Sequence, residues 1–429
     1  MRVTTLAMVA VLVVIGLSLP SGNTTTVQHN SMDSRYILVG GQNGTWFESG
    51  QTPRLERVSL SNYSVTSLVP AAGAGVVWTG GWNGSQWLIA GFGTDKGPNG
   101  SNPYLYLYDG QTQITGPSQK EYEAEESWHG GDIFGISYNG AEWLLSGMGS
   151  DVLPTYSPNQ QNHMSLALFN GENFTDLSSE LPDQRDAILY ANAWNGKTWL
   201  VGGGYSEFGV LFSYSGSTFD DLTPEIRQAV SSFGSVQSIG WNGEYWLIGG
   251  FDFLAKYDGS RFYDLTPALG SILDWRGVCC YSVNALAWNG SEWMVGGGAP
   301  VAQFSDNKAW IAMYSSNRFE DLSSNLGTAV TNAFQSSILT ITSTRGLWFI
   351  GGYANNYGVL YTYDGASFTG LFNLVSNYTY VNWLGAGMLG NLMTSISNIN
   401  RPIYEYSIQS LFMIRIGRLN AFLEESFRR

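Results

Sequence analysis

A six-residue unit that recurs along the chain constrains the fold more than any other feature. It is clearest as Trp288-Asn289-Gly290-Ser291-Glu292-Trp293 and returns as Trp82 to Trp87, Tyr138 to Trp143, Trp194 to Trp199 and Trp241 to Trp246. Each copy runs into an apolar stretch that ends in small residues, such as Leu247-Ile248-Gly249-Gly250. Degenerate copies stand at Arg345-Gly346-Leu347-Trp348 and at Arg35-Tyr36-Ile37-Leu38-Val39-Gly40-Gly41. The second aromatic therefore falls at 36, 87, 143, 199, 246, 293 and 348, with spacings of 47 to 56 residues, the period of a propeller blade.

A second unit follows each first one. Tyr257-Asp258-Gly259-Ser260-Arg261-Phe262 is its best copy, with others at Phe169 to Phe174, Tyr214 to Phe219, Tyr314 to Phe319 and Tyr363 to Phe368. Tyr108-Asp109-Gly110 opens a weaker copy, and Val58 to Tyr63 keeps the spacing without the glycine. Asn-Gly and Asp-Gly favour the two-residue type I′ turn, in which both central residues take φ > 0. That turn predicts Trp288 opposite Ser291 and Trp293 opposite Leu286, with the aromatics on one sheet face, where they fill the space between blades. Two such hairpins in series make a four-stranded antiparallel blade, strands A to D. The first blade has no strand A before Tyr36, while Tyr380-Val381-Asn382-Trp383-Leu384 resembles the strands that precede the Asn-Gly turns. The expected fold is thus all-β: a seven-bladed β-propeller of four-stranded antiparallel blades, its ring closed by a C-terminal strand completing blade one.

The diglycine after strand B, followed by Tyr-Asp-Gly and an aromatic opening strand D, resembles the kelch repeat over roughly residues 34 to 387. The likeness implies a kelch-like or galactose-oxidase-like propeller. Phe often stands where kelch has Trp in the second hairpin, and Trp-Asn-Gly-x-x-Trp is stronger here than in kelch. It does not imply the oxidase activity, since the sequence holds no copper-ligand constellation.

Composition agrees with many short strands: 53 Gly, 16 Trp, 24 Tyr and 21 Phe against only 13% charged residues. The formal net charge of −14 disfavours a nucleic-acid partner. Three His and one adjacent cysteine pair, Cys279-Cys280, leave neither a metal set nor a disulfide framework, so no cofactor is expected. Residues 1–22 read as a signal peptide or N-terminal anchor, with Arg2 before the apolar run Leu6 to Leu19, which is shorter than the ~20 residues needed to span a bilayer. A polar linker (23–33), the propeller (34–389) and a tail (390–429), in which Ser410 to Phe427 could be helical, complete the expected organisation. The start implies a secreted or cell-surface protein, tied to a membrane only if the N-terminal segment is retained. Eight Asn-x-Ser/Thr sequons occur, the first at Asn23; Asn83 and Asn289 belong to turns, and Asn43, Asn62, Asn99, Asn173 and Asn377 are candidate glycosylation sites.

Asp176, Asp221, Asp264 and Asp321 repeat once per blade in Phe-x-Asp-Leu-Thr/Ser segments, and a feature with the blade's period serves the blade rather than a metal. Thr223-Pro224 and Thr266-Pro267 read as an N-cap with proline at N1. Functional signal concentrates in connections of uneven length. The B–C loops at Gly93 to Tyr104 and Gly147 to Met164 and the D–A loops at Gly116 to Gly131 and Pro267 to Ser282 all lie on one face of the disc. They carry Trp128 and His129 beside Glu121, Glu123, Glu125 and Glu126; His163; and Trp275, Arg276, Cys279 and Cys280. Aromatic and Arg side chains anchor contacts, so these seven residues are the candidate ligand-binding set. By itself the acidic run reads rather as a solvated surface, and the cysteines as two buried or incidental thiols. The expected function is a non-enzymatic extracellular binding module for a glycan, peptide or surface protein. The alternative is an extracellular carbohydrate-active enzyme with Glu/His in the long loops of blades two and three; a structural surface-layer role is a third.

Overall fold

A computed structural model of the chain describes residues 36–44, 52–68, 75–97, 100–110, 114–115, 132–150, 162–183, 187–205, 208–273, 281–300 and 307–386. Their strands, numbered β1 to β28 in chain order, form seven four-stranded antiparallel sheets. Six sheets take consecutive strands; the seventh has the order β28-β1-β2-β3, built from Tyr380–Ala386, Tyr36–Asn43, Thr52–Ser59 and Val65–Ser67. The C-terminal strand therefore completes blade one, as the repeat requires. The strands A are β4 (Gly75–Trp82), β8 (Asp132–Tyr138), β12 (Ile188–Trp194), β16 (Val236–Trp241), β20 (Ser282–Trp288), β24 (Ser336–Thr344) and β28. Each touches the next, and β28 touches β4, so they ring the axis.

The core is a set of wedges, one between each pair of neighbouring blades. The second aromatics of the Asn-Gly units fill them: Trp87, Trp143, Trp199, Trp246 and Trp293 are all buried. At the closing seam Trp383 sits edge-on to Trp87 with ring centroids 5.3 Å apart. A Cβ at Gly40, Gly80 or Gly385 would come within 3.0 Å of the Trp383 ring, so these three glycines make room for it.

The diglycine has two separate causes. Every strand A carries a one-residue bulge, at Trp78, Phe134, Tyr190, Gln237, Asn284, Leu339 and Asn382. The second glycine of strand B lies across from that bulge, where a Cβ would meet the strand A backbone: 1.9 Å from the Ile188 carbonyl at Gly203 and 1.8 Å from that of Ser282 at Gly297. The first glycine lies against the next blade, where a Cβ would strike a branched side chain: Val236 at Gly202, Val283 at Gly249, Ile338 at Gly296. Gly351 meets Val381 of the closing strand in the same way, so the last interface repeats the geometry of the others.

The turns correct the predicted register. Trp288 lies directly opposite Trp293, and Leu286 opposite Val295. The four residues between are held by Asn289, whose Oδ1 accepts the N–H groups of Ser291 (2.9 Å) and Glu292 (2.8 Å) and the Ser291 hydroxyl (3.0 Å). Gly290 alone takes positive φ, 104°. The Asn side chain thus closes the loop that two left-handed residues would close in a type I′ turn. Adjacent central residues at positive φ occur instead at Ser316-Asn317, Arg345-Gly346 and Asn355-Asn356. The slip relative to the predicted pairing is an even number of residues, so the aromatics stay on the predicted face. In blade one Val58 pairs with Val65; Tyr63 is not a strand D residue but sits in the turn at φ 54°.

The repeated aspartates serve the blade. Asp176, Asp221, Asp264 and Asp321 each accept the backbone N–H two residues on, at 2.8 to 2.9 Å. The Ser or Thr there takes a strand C backbone N–H on its hydroxyl, as Thr223 does from Leu211 at 3.0 Å. Thr223 and Thr266 are therefore not the N-caps of their short helices, Thr223–Ala229 and Thr266–Ile272; Leu222 and Leu265 hold that position with no side-chain cap.

Candidate functional site

The tight A–B and C–D turns fall on one face of the disc, and the B–C and D–A connections fall on the other. The first face is nearly uniform, because most of its turns are fixed by one Asn or Asp side chain, as at Asn83, Asn139, Asn195, Asn242, Asn289 and Asp364. Asp258 shows how firmly: its carboxylate accepts from the Ser260 hydroxyl, the Ser260 and Arg261 amides and the Tyr263 hydroxyl. The Ser260 contacts, then that of Arg261, hold its carboxyl well below the usual carboxylate range.

The second face differs from blade to blade. Of the predicted set, Trp128, His129, Trp275, Arg276, Cys279 and Cys280 lie outside the described residues, as do residues 1–35, Asn99 and the tail 387–429. His163 is a strand residue rather than a loop residue: it pairs with Gly149 in blade three and is half-buried. Of the segment read as a loop, the described residues 93–97 and 100–104 belong to strands, Trp87–Gly97 and Gly100–Tyr108, which pair with each other with an irregularity between Phe92 and Lys96. Among the candidate glycosylation sites, Asn43, Asn62, Asn173 and Asn377 are exposed.

Residues that the sequence reading passed over supply the described chemistry of this face. In blade seven the Asn355-Asn356 turn joins Leu347–Ala354 to Tyr357–Tyr363. Asn355 Oδ1 accepts the amides of Phe334 (2.8 Å) and Gln335 (3.2 Å), and its own N–H donates to the Gln335 carbonyl at 2.7 Å. This clamp ties the B–C turn to the end of the D–A connection and sets two aromatics in solvent, Phe334 at 55% and Tyr357 at 71% exposure. Beneath them Tyr353 meets Tyr380 of the closing strand edge-on, centroids 4.8 Å apart. In blade four Tyr205 and Phe208 pair across the B–C connection and are also exposed. Blades four and seven are three steps apart, so these two places lie on nearly opposite sides of the ring. Each aromatic sits beside a turn, a signal that the repeat hides because neither belongs to it.

No family profile and no curated protein matches the chain. Solved structures do resemble it. The β-propeller domain of the Trilobed protease from Pyrococcus furiosus aligns with a TM-score of 0.45 and 10% identity, over 80% of this chain and 94% of that one. Pyrococcus horikoshii acylaminoacyl peptidase aligns at 0.46 and 11%, over 79% of this chain and 50% of the other. Porphyromonas gingivalis dipeptidyl peptidase 4 aligns at 0.40 and 12%, over 79% and 51%. The chain thus spans about half the length of these two peptidases, and the likeness is one of propeller architecture.

Among the described residues no three His, Cys, Asp or Glu side chains come together, and no helix is long and apolar enough to cross a membrane. What the described part of the loop face offers is rigidly mounted aromatic surface with polar neighbours, among them the Lys308 ammonium, which donates to the Ala333 carbonyl beside Phe334.

Proposed function

We propose that this chain is a kelch-like extracellular binding module that takes a glycan of low charge on its B–C/D–A face. The clamped pair Phe334 and Tyr357 carries this reading. Exposing two large aromatic rings forgoes the free energy of burying them, and the three hydrogen bonds through Asn355 fix the backbone that presents them. A flat ring held on a rigid turn suits the apolar face of a sugar, and Asn355, Asn356 and Gln335 beside it, with the Lys308 ammonium on the Ala333 carbonyl, offer donors and acceptors to its hydroxyls. Trp128 and Trp275, in the D–A connections of other blades, are proposed as further anchors on the same face. A glycan array incubated with the purified chain tests this reading. Retention of neutral glycans without turnover supports it. Turnover of a retained glycan supports the enzyme alternative, and a blank array overturns the choice of ligand.

A further inference from the structure

The seven bulge residues divide the propeller axis into two chemically different sectors. In blades two, three and four they are Trp78, Phe134 and Tyr190, which pack in succession with ring centroids 6.2 and 5.4 Å apart. Val76 and Ile188 join them in one buried cluster drawn from three blades. The same bulge in blades five, six and one places Gln237, Asn284 and Asn382 at the corresponding positions, with Leu339 of blade seven between the last two. These three carboxamides are each at most 1% exposed. Gln237 Nε2 donates to Ser235 Oγ (3.1 Å), and Asn284 Nδ2 donates to Ser337 Oγ (3.0 Å) and the Ile338 carbonyl (3.2 Å). Gln237 Oε1, Asn284 Oδ1 and both polar atoms of Asn382 have no hydrogen-bond partner. At Asn192 the fold satisfies such a group, whose Nδ2 donates to Ser146 Oγ at 2.7 Å and whose Oδ1 takes the Ser137 hydroxyl, while Gln42, away from the axis, also leaves its Oε1 without a partner. A buried carboxamide oxygen left without a partner is costly, so three on one side of the axis mark a place built for something else.

We infer that the axial ring of bulge residues is a binding site for a small organic ammonium ion. The unpartnered atoms are mainly acceptors, three carbonyl oxygens against one amide nitrogen, so the ligand is one that brings N–H donors. The sector beyond them is aromatic, which attracts a cation and accommodates a short alkyl group. Asp132, two residues before the Phe134 bulge, holds in its strand the position that Val76 and Ile188 hold in theirs, and the chain as a whole carries a formal charge of −14. An anion would face mainly oxygen lone pairs and ring faces, with Asn382 Nδ2 the single unpartnered carboxamide donor of the three. This site is independent of the loop-face aromatics, since no residue is shared.

Calorimetric titration and thermal melting of the full chain with n-butylammonium chloride test the inference, with 1-butanol and sodium chloride at equal concentration as controls. The expected result is saturable binding of n-butylammonium, a rise in melting temperature of about 3 °C at saturation, and neither effect from the controls. Asn382→Leu and Asn284→Leu should each weaken binding by roughly tenfold or more; Asn382→Leu should melt no lower than the parent, because it removes a wholly unpartnered amide, whereas Asn284→Leu also loses the hydrogen bonds to Ser337 and Ile338. Absence of saturable binding to the parent chain, an equal response to 1-butanol, or undiminished binding by a folded leucine variant overturns the inference. The parent comparison decides the matter even where a variant fails to fold.

Discussion

At the scale of single residues, two glycines of one blade separate two reasons for having no side chain. A Cβ added at Gly290 meets no atom within 4 Å, and only its φ of 104° resists substitution. A Cβ at Gly297 would lie 1.8 Å from the Ser282 carbonyl. Gly290→Val should therefore cost about 1–3 kcal/mol, the ordinary strain of an L residue in that region, and still fold cooperatively. Gly297→Ala, the smaller change, should cost more, because the strand A bulge has no room to move. Denaturant melts of the two variants check the order; a Gly297→Ala milder than Gly290→Val contradicts the explanation of the diglycine. The sequence displayed both glycines equally well, but the bulge that distinguishes them is a feature of strand pairing that no local motif encodes. Glu56 is the matching case among polar residues. It is buried at the closing seam, where desolvation outweighs the opposing pull of Arg54 and Tyr378 and raises its pKa. The Tyr378 hydroxyl already donates to the Val39 carbonyl at 3.0 Å, so a protonated Glu56 is the better neighbour for its oxygen. A carboxyl with a raised folded pKa contributes stability that is complete below its unfolded value, about 4.3, and lost as pH rises through the folded value. Glu56→Gln should then raise the melting temperature at pH 7.5 by about 2 °C and lose that advantage by pH 4. An equal gain at both pH values contradicts this account.

At the scale of elements, the closing strand was legible because Tyr380 to Leu384 repeats the pattern that precedes every Asn-Gly turn, and the contact of Gly351 with Val381 shows why the pattern recurs there. Ending the chain after Ser376 removes that strand, uncovers the edge of Tyr36–Asn43 and strips Trp383 from the wedge it fills. That truncation should abolish cooperative unfolding, measured by circular dichroism, whereas ending after Leu389 should leave a sharp transition. Identical melts would mean that the ring does not depend on its last strand. The connections were less legible. Residues 93–97 and 100–104 carry glycine, proline and polar residues, which read as a loop, yet Lys96 and Gly97 pair with Ser101 and Gly100 beyond an irregularity after Phe92, so the hairpin resumes past the point where its regular ladder ends. His163 is likewise a strand residue.

At the scale of the whole molecule, seven-fold repetition makes one face uniform and leaves the other free to vary, and binding is assigned to the variable one. The repeat that made the fold readable also hid the exposed aromatics, since Phe334, Tyr357, Tyr205 and Phe208 lie outside every recurring motif and their exposure depends on turns closed by backbone and Asn355 contacts. Alanine substitutions on the two faces, read by glycan retention and by melting temperature together, put this division to its most direct test. Phe334→Ala and Tyr357→Ala should each reduce retention at least about tenfold, in line with the loss of an aromatic anchor, with melting temperatures within about 2 °C of the parent. Serine and glutamate positions in the opposite turns, Ser291→Ala and Glu292→Ala, should leave retention unchanged. Retention that survives loss of both aromatics, or that falls when the Asn-Gly turns are altered, would contradict the assignment of binding to the B–C/D–A face.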